Sequence, residues 1–142
     1  MVNTLMGEFP KDILAIVGST VFHNDNLAAS MALGLIVDFI KETKPEMIIS
    51  GGAIGIDTIA KVSAENLFVP FKEYSPRNAR WAPDGYLARN KIIAITCTRL
   101  LCVRHFKSKT YGSGWTADYA ESLHKSVVRK ILTEDYEFVD VL

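Results

Sequence analysis

Hydrophobic and polar positions come in blocks along this chain, and the period changes from block to block. Ile13-Leu14-Ala15-Ile16-Val17 is a continuous apolar run that stops at Gly18-Ser19. That is the pattern of a strand buried on both faces in a parallel sheet. From residue 27 the period becomes helical. Leu27, Met31, Leu35 and Phe39 form one i, i+4 row, and Ala28, Ala32, Ile36 and Ile40 form the adjacent one, a wide stripe suited to packing against a sheet. Asn24, Asp25 and Asn26 are candidate N-caps and Pro45 closes the helix. Met47 to Ile49 reads as a second strand, and Ile56, Ala60, Ser63, Ala64 and Leu67 share one face of a second helix. Val69 to Tyr74 reads as a third strand with Pro70 near its start.

Residues 75–83 read as loop, followed by a helix from near Asp84 that carries Leu87, Asn90, Lys91, Ile92, Ile93 and Ile95. Leu100 to Val103 is a fourth strand and 105–114 a polar, glycine-containing loop. A helix from about Trp115 to His124 and a fifth strand, Ser126 to Leu132, come next. The acidic, partly apolar tail 133–142 is expected to add an edge strand or to contact another copy of the chain. This alternation predicts an α/β fold, a doubly wound, mainly parallel five-stranded sheet with helices on both faces, spanning 1–142 as one domain. In such sheets ligands collect at the carboxyl ends of the strands, where strand order reverses.

Composition supports an ordinary globular domain: 142 residues, 49% apolar and 23% charged. No apolar run is long enough to span a membrane, and residues 1–10 lack the basic and apolar regions of a secretion signal. Cys97 and Cys102 have the spacing of no zinc motif. They are read as two small buried residues in a reducing cytoplasm, and no metal is expected. Net charge is zero, yet nine Lys/Arg and only two acids lie between Lys72 and Lys109, a local balance of +7 against −7 elsewhere. A basic middle of this kind is expected to meet an anion.

Candidate chemistry sits in three glycine turns at the predicted strand ends. Gly18-Ser19-Thr20 ends the first strand, with a close-turning glycine and two hydroxyls. Ser50-Gly51-Gly52-Ala53-Ile54-Gly55-Ile56-Asp57 joins the second strand to a helix, where backbone N–H groups and the helix dipole favour a phosphate. Its spacing is neither GxGxxG nor a P-loop. Asp57 is either a first-turn acid that complements the dipole or an acceptor for a ribose hydroxyl. Gly112-Ser113-Gly114-Trp115-Thr116 is the third turn, again entering a helix. Arg89 and Asn90 lie at the polar edge of an apolar helix and offer a planar fork and a mixed donor–acceptor. Trp81, Tyr111 and Trp115 are equally candidates for stacking on a base or for the core.

Taken in order, Gly18-Ser19, Ser50 to Asp57, Arg89-Asn-Lys-Ile-Ile-Ala94 and Ser113-Gly-Trp-Thr-Ala117 resemble the SLOG superfamily. That group includes the Rossmann-like domain of the DNA-processing protein A (Smf) family and the Lonely Guy phosphoribohydrolases. The "SG-A-GID" turn and "RN-IIA" helix start are most similar to the DNA-processing side, and Arg80-Trp81-Ala82-Pro83 looks like its small stand-alone members. The resemblance spans roughly residues 13–130. It implies a Rossmann-like sheet that holds a nucleotide or nucleotide-derived ligand on Gly18, Ser19, Thr20, Ser50, Gly51, Gly52, Gly55, Asp57, Arg89, Asn90, Gly112, Ser113, Gly114 and Thr116. Two departures stand out. Tyr119 occupies the place where Lonely Guy enzymes carry their glutamate, and 142 residues leave no room for the flanking domains usual in the DNA-processing family.

The expected function is a small nucleotide binder or sensor. The alternative is a hydrolase of an N-glycosidic bond in a nucleoside monophosphate or NAD-like substrate, with Asp57 and Asp118 as candidate carboxylates. A weaker alternative is single-stranded nucleic acid binding through Arg77, Arg80, Arg104, Lys107 and Lys109. No cofactor is evident beyond the nucleotide ligand.

Overall fold

The structure, a computed structural model, describes residues 11–141. The segment read above for a secretion signal and the last residue of the tail lie outside the described residues. In chain order the elements are β1 (Ile13–Gly18), a 3-10 turn (Thr20–Asn24), α1 (Asn26–Thr43), β2 (Met47–Ser50), α2 (Ile56–Asn66) and β3 (Phe71–Glu73). They continue with α3 (Tyr86–Thr96), β4 (Arg99–His105), α4 (Gly112–Ser122), β5 (Ser126–Leu132) and β6 (Phe138–Asp140). The sheet order is β3-β2-β1-β4-β5-β6. Its pairs are parallel except β5 with β6, which is antiparallel. Strand order reverses between β1 and β4, which places the switch point of this Rossmann-like sheet at their carboxyl ends.

The sheet has six strands, not the expected five, because the tail pairs with β5 through Leu132–Phe138 and Ile131–Val139. A tight turn makes this possible: Tyr136 N–H donates to Thr133 O and Thr133 N–H to Glu137 O, each at 2.9 Å. Phe138 stacks on Phe22 with ring centroids 6.3 Å apart, so the tail finds its apolar surface in its own core.

Side-chain alternation along β1 divides the core. Leu14 and Ile16 pack with α1 and α2, while Ala15 and Val17 pack with α3 and α4 on the other face. Only one of the two α1 rows is fully buried. Ala28, Ala32 and Ile36 have no exposure, whereas Leu27 of the adjacent row is 61% exposed. Small residues in the central row let the helix approach the sheet, and the larger row becomes its margin. Of the three candidate caps the fold uses Asp25, whose carboxylate accepts from Ala28 N–H at 3.1 Å.

Three boundaries differ from the periodicity. β3 is shorter because Pro70 cannot donate to the ladder, though its carbonyl still accepts from Ile48 N–H at 2.9 Å. β4 runs on through Arg104 and the buried His105. The last helix starts at Gly112, a turn before Trp115, so the glycines expected in a loop are helical. Arg99 pairs with Asp12 at the amino edge of the sheet, opposite to the strand ends where the site forms.

Candidate functional site

A cavity of about 760 Å³ opens at the carboxyl ends of β1 and β2, between the starts of α3 and α4. The predicted residues divide into those that line it and those that build it. Gly18, Thr20, Gly51 and Asp57 line it from the first two turns, and Arg89 and Asn90 line it from α3. Gly112, Ser113 and Thr116 contribute the α4 side.

The remaining predicted residues are not among its walls. The Ser19 hydroxyl accepts from the His105 N–H at 3.0 Å and so ties β1 to the end of β4. The buried Ser50 hydroxyl donates to Ile16 O at 2.6 Å. Gly52 and Gly55 have φ of +80° and +86° and supply the left-handed bends of the second turn. Gly114 lies against the Tyr111 ring, where a Cβ has no room. Asp118 is on the exposed side of α4, paired with Arg129 at 2.8 Å, so the fold does not bring it to Asp57.

Within the cavity the second turn is closed by its own side chains. Asp57 accepts from Ala53 N–H at 3.1 Å. Arg89 donates through Nη1 to Gly51 O and, at 3.2 Å, to Tyr74 O, and through Nε to Asn90 Oδ1 at 2.7 Å. Gly51 fits between the two charged groups: a Cβ there would lie 2.5 Å from Arg89 Nη1 and 2.9 Å from Asp57 Oδ2. Burial pushes the Asp57 carboxyl above its usual range, against the Ala53 hydrogen bond and the Arg89 charge. Burial pulls the Arg89 guanidinium down, against the Asp57 charge. The arginine therefore braces this wall through Nη1 and Nε, and its two Nη2 N–H groups make no hydrogen bond among the described residues.

The third turn is different. Tyr111, at the N-cap of α4, supplies no side-chain hydrogen bond to the helix start. A Cβ on Gly112 would meet nothing nearer than Asn90 Nδ2 at 3.9 Å. An eleven-residue helix thus begins at the cavity wall with open space before it.

Four aromatic side chains, Trp81, Tyr86, Tyr111 and Trp115, complete the lining. Trp81 and Tyr111 are half exposed, at 50% and 52%. Trp81 meets Trp115 edge-on at 5.3 Å, and Trp115 in turn stacks on Tyr119 at 5.2 Å. Tyr86 was not singled out in the sequence; its position one helical turn before Arg89, whose guanidinium lies 5.3 Å above its ring, is the signal that identifies it. Of the nine cations in the basic middle, Arg89 alone lines this cavity. Charge clustering in sequence is therefore a poor guide to this wall.

A second polar cluster lies behind the site. His105 Nδ1 accepts from Lys107 N–H at 3.0 Å, which leaves Nε2 to donate to Asp25 Oδ2 at 2.8 Å. Tyr136 donates to the same oxygen at 2.6 Å. These bonds and the helix cap hold the Asp25 carboxyl down at about 2. They join α1, β4 and the tail across 80 and 111 residues of sequence, a spacing that no local pattern reveals. Cys97 and Cys102 are buried thiols, both pushed up to about 11 by burial.

The strand order, the reversal at β1 and β4 and the cavity above it define a Rossmann-like α/β architecture with a cavity at its switch point. Two solved structures share the fold. DNA processing protein A (DprA) from Streptococcus pneumoniae is 20% identical, with TM-score 0.63 over 83% of this chain and 50% of that one. The molybdenum cofactor carrier protein of Chlamydomonas reinhardtii is 18% identical, with TM-score 0.62 over 84% of this chain and 75% of that one. At these identities the likeness to both is one of fold. The chain spans half the length of the DNA-processing protein. No protein-family model and no curated protein sequence matches it. Among the described residues, no helix is long and apolar enough to cross a membrane.

Proposed function

We propose that the chain binds a nucleotide or nucleotide-derived ligand in the cavity at the β1–β4 switch point, as a binder or sensor. The observation that carries this reading is the pairing of four aromatic walls with the uncapped start of α4 in one cavity. Aromatic faces and edges suit a planar base. The free N–H groups of a helix start suit a phosphate, with Gly112 allowing close approach. Asp57, which lines the same cavity, would accept a ribose hydroxyl. The two neighbours, one a cofactor carrier and one a DNA-processing protein, agree with a small molecule or nucleic acid as ligand.

The test is a thermal-shift panel of AMP, ADP-ribose, NAD, cyclic nucleotides and short single-stranded DNA. A ligand at a hundred times its Kd adds about 2.7 kcal/mol of stability. A selective rise with one nucleotide supports the reading, and no rise with any of them overturns it. A shift with DNA alone that falls steeply with salt would move the function to single-stranded nucleic acid.

One observation favours a second reading, hydrolysis of an N-glycosidic bond: Asp57 is a buried carboxyl with a raised pKa in the cavity wall. Asp118, the other candidate, is held by Arg129 outside that wall, so Asp57 would have to act without it. Release of free base from AMP or NAD by the wild-type protein, lost in Asp57→Asn, is the outcome this reading requires.

A further inference from the structure

A smaller cavity of about 110 Å³ lies beside the first, with Arg104, Arg129, Lys130 and Tyr111 among its walls. The β4–β5 register sets Cys102 opposite Arg129 and Arg104 opposite Ile131. Arg104 and Arg129 are therefore diagonal neighbours on one face of the sheet. Their charges are answered unequally. Arg129 is 2.8 Å from Asp118 and 3.7 Å from Glu121, and Lys130 pairs with Asp140. Arg104 has no carboxylate partner among the described residues. Its Nη2 donates to Thr110 O at 2.7 Å and meets Ser108 Oγ at 3.4 Å, and its guanidinium lies 4.9 Å above the Tyr111 ring. Its Nε–H is buried without any partner. A buried donor on a cation that lacks a counter-ion is costly until an anionic acceptor arrives.

We propose that this cavity is a second binding site, for a phosphoryl group, with Arg104 as its main ligand and Tyr111 as the partition from the larger cavity. A guanidinium fork recognises tetrahedral oxyanions through parallel N–H bonds. The volume suits a small oxyanion. Tyr111 lines both cavities, so the phosphoryl group has two possible sources. It arrives as free phosphate, or as a second phosphoryl group of a ligand seated in the main cavity. The latter source rests on the nucleotide reading above; the former does not.

Calorimetric titration of wild type, Arg104→Gln and Arg104→Lys with inorganic phosphate, AMP and adenosine 3′,5′-bisphosphate tests this. If phosphate is taken up free, it binds wild type alone, binds alongside AMP, and weakens at least tenfold in Arg104→Gln. If the group belongs to the ligand, the bisphosphate binds at least tenfold tighter than AMP, and Arg104→Gln abolishes that gain. Arg104→Lys, which keeps the charge but not the fork, loses most of the same effect and serves if Arg104→Gln melts early without ligand. Two results overturn the proposal: neither phosphate binding nor a bisphosphate gain in wild type, or wild-type affinity retained in both variants. Phosphate binding that depends on Arg104 in a protein that ignores AMP would overturn the main-cavity reading and leave this site standing.

Discussion

After β2 the chain turns through Ser50–Asp57 into α2, and after β4 it turns through Tyr111–Thr116 into α4. Both turns are glycine-rich, both lead into helices, and both border the same cavity. In the first, Asp57 takes the Ala53 N–H, Arg89 takes the Gly51 carbonyl, and Ile56 N–H donates to Ser19 O at 3.3 Å. In the second, no side chain caps the helix and space lies open before Gly112. The same composition therefore produces a wall braced by side chains in one place and an open helix start in the other. Glycine marks where a backbone can approach a partner; which partner fills the approach depends on what else the fold brings there.

The sharpest way to break this contrast is at Gly55, where φ is +86° and a Cβ would lie 2.5 Å from Ser19 O. Gly55→Ala should cost about 3 kcal/mol of stability through backbone strain and overpacking. Urea unfolding measures it, and a loss below about 1 kcal/mol would mean that the first turn is not closed as described. Arg89→Ala comes next. It leaves the Gly51 and Tyr74 carbonyls without their donor and should lower stability by roughly 1–3 kcal/mol. Nucleotide affinity should fall with it as the wall loosens, in the same titrations.

Gly112→Ala is the counterpart in the open turn. Alanine is the better helix former, so stability should change by less than about 1 kcal/mol. The methyl group narrows the approach to the helix start, so nucleotide affinity should fall at least tenfold, about 1.4 kcal/mol. Unchanged binding in this variant would remove the phosphate from α4.

Two effects of pH complete the series. The Asp57 carboxyl is raised in the fold, so it takes up a proton more readily there than in the unfolded chain. Its contribution to stability is therefore fully present below the unfolded value, near 4, and is lost as pH rises through the folded one. Asp57→Asn should flatten that decline. Asp25 has the opposite sign: held at about 2, its contribution is complete above pH 4 and is lost as pH falls from 4 to 2. Tyr136→Phe removes one of its hydrogen bonds and should shrink this acid-side loss without touching either glycine turn. Melting temperature against pH for the three proteins reads both.

The local elements were legible in the sequence because their signal is local. The apolar run of β1, the rows of α1 and the Ile56–Ala60–Ala64 face each depend on residues within a few positions of one another. Strand–helix alternation then leaves few arrangements other than a doubly wound sheet, and the turns at the strand ends become the walls of the site. Tertiary structure decided between the two roles open to the tail, which pairs with β5 as a sixth strand and stacks Phe138 on Phe22. It also separated Asp118 from Asp57, and it gave Arg104 rather than Arg129 the unanswered charge. The deciding partner can lie far along the chain, as Phe22 does from Phe138 and Arg89 from Gly51 across 38 residues, or eleven residues away, as Asp118 does from Arg129. Periodicity reports which face a residue occupies; whether a donor on that face is free is decided by the groups that packing places against it.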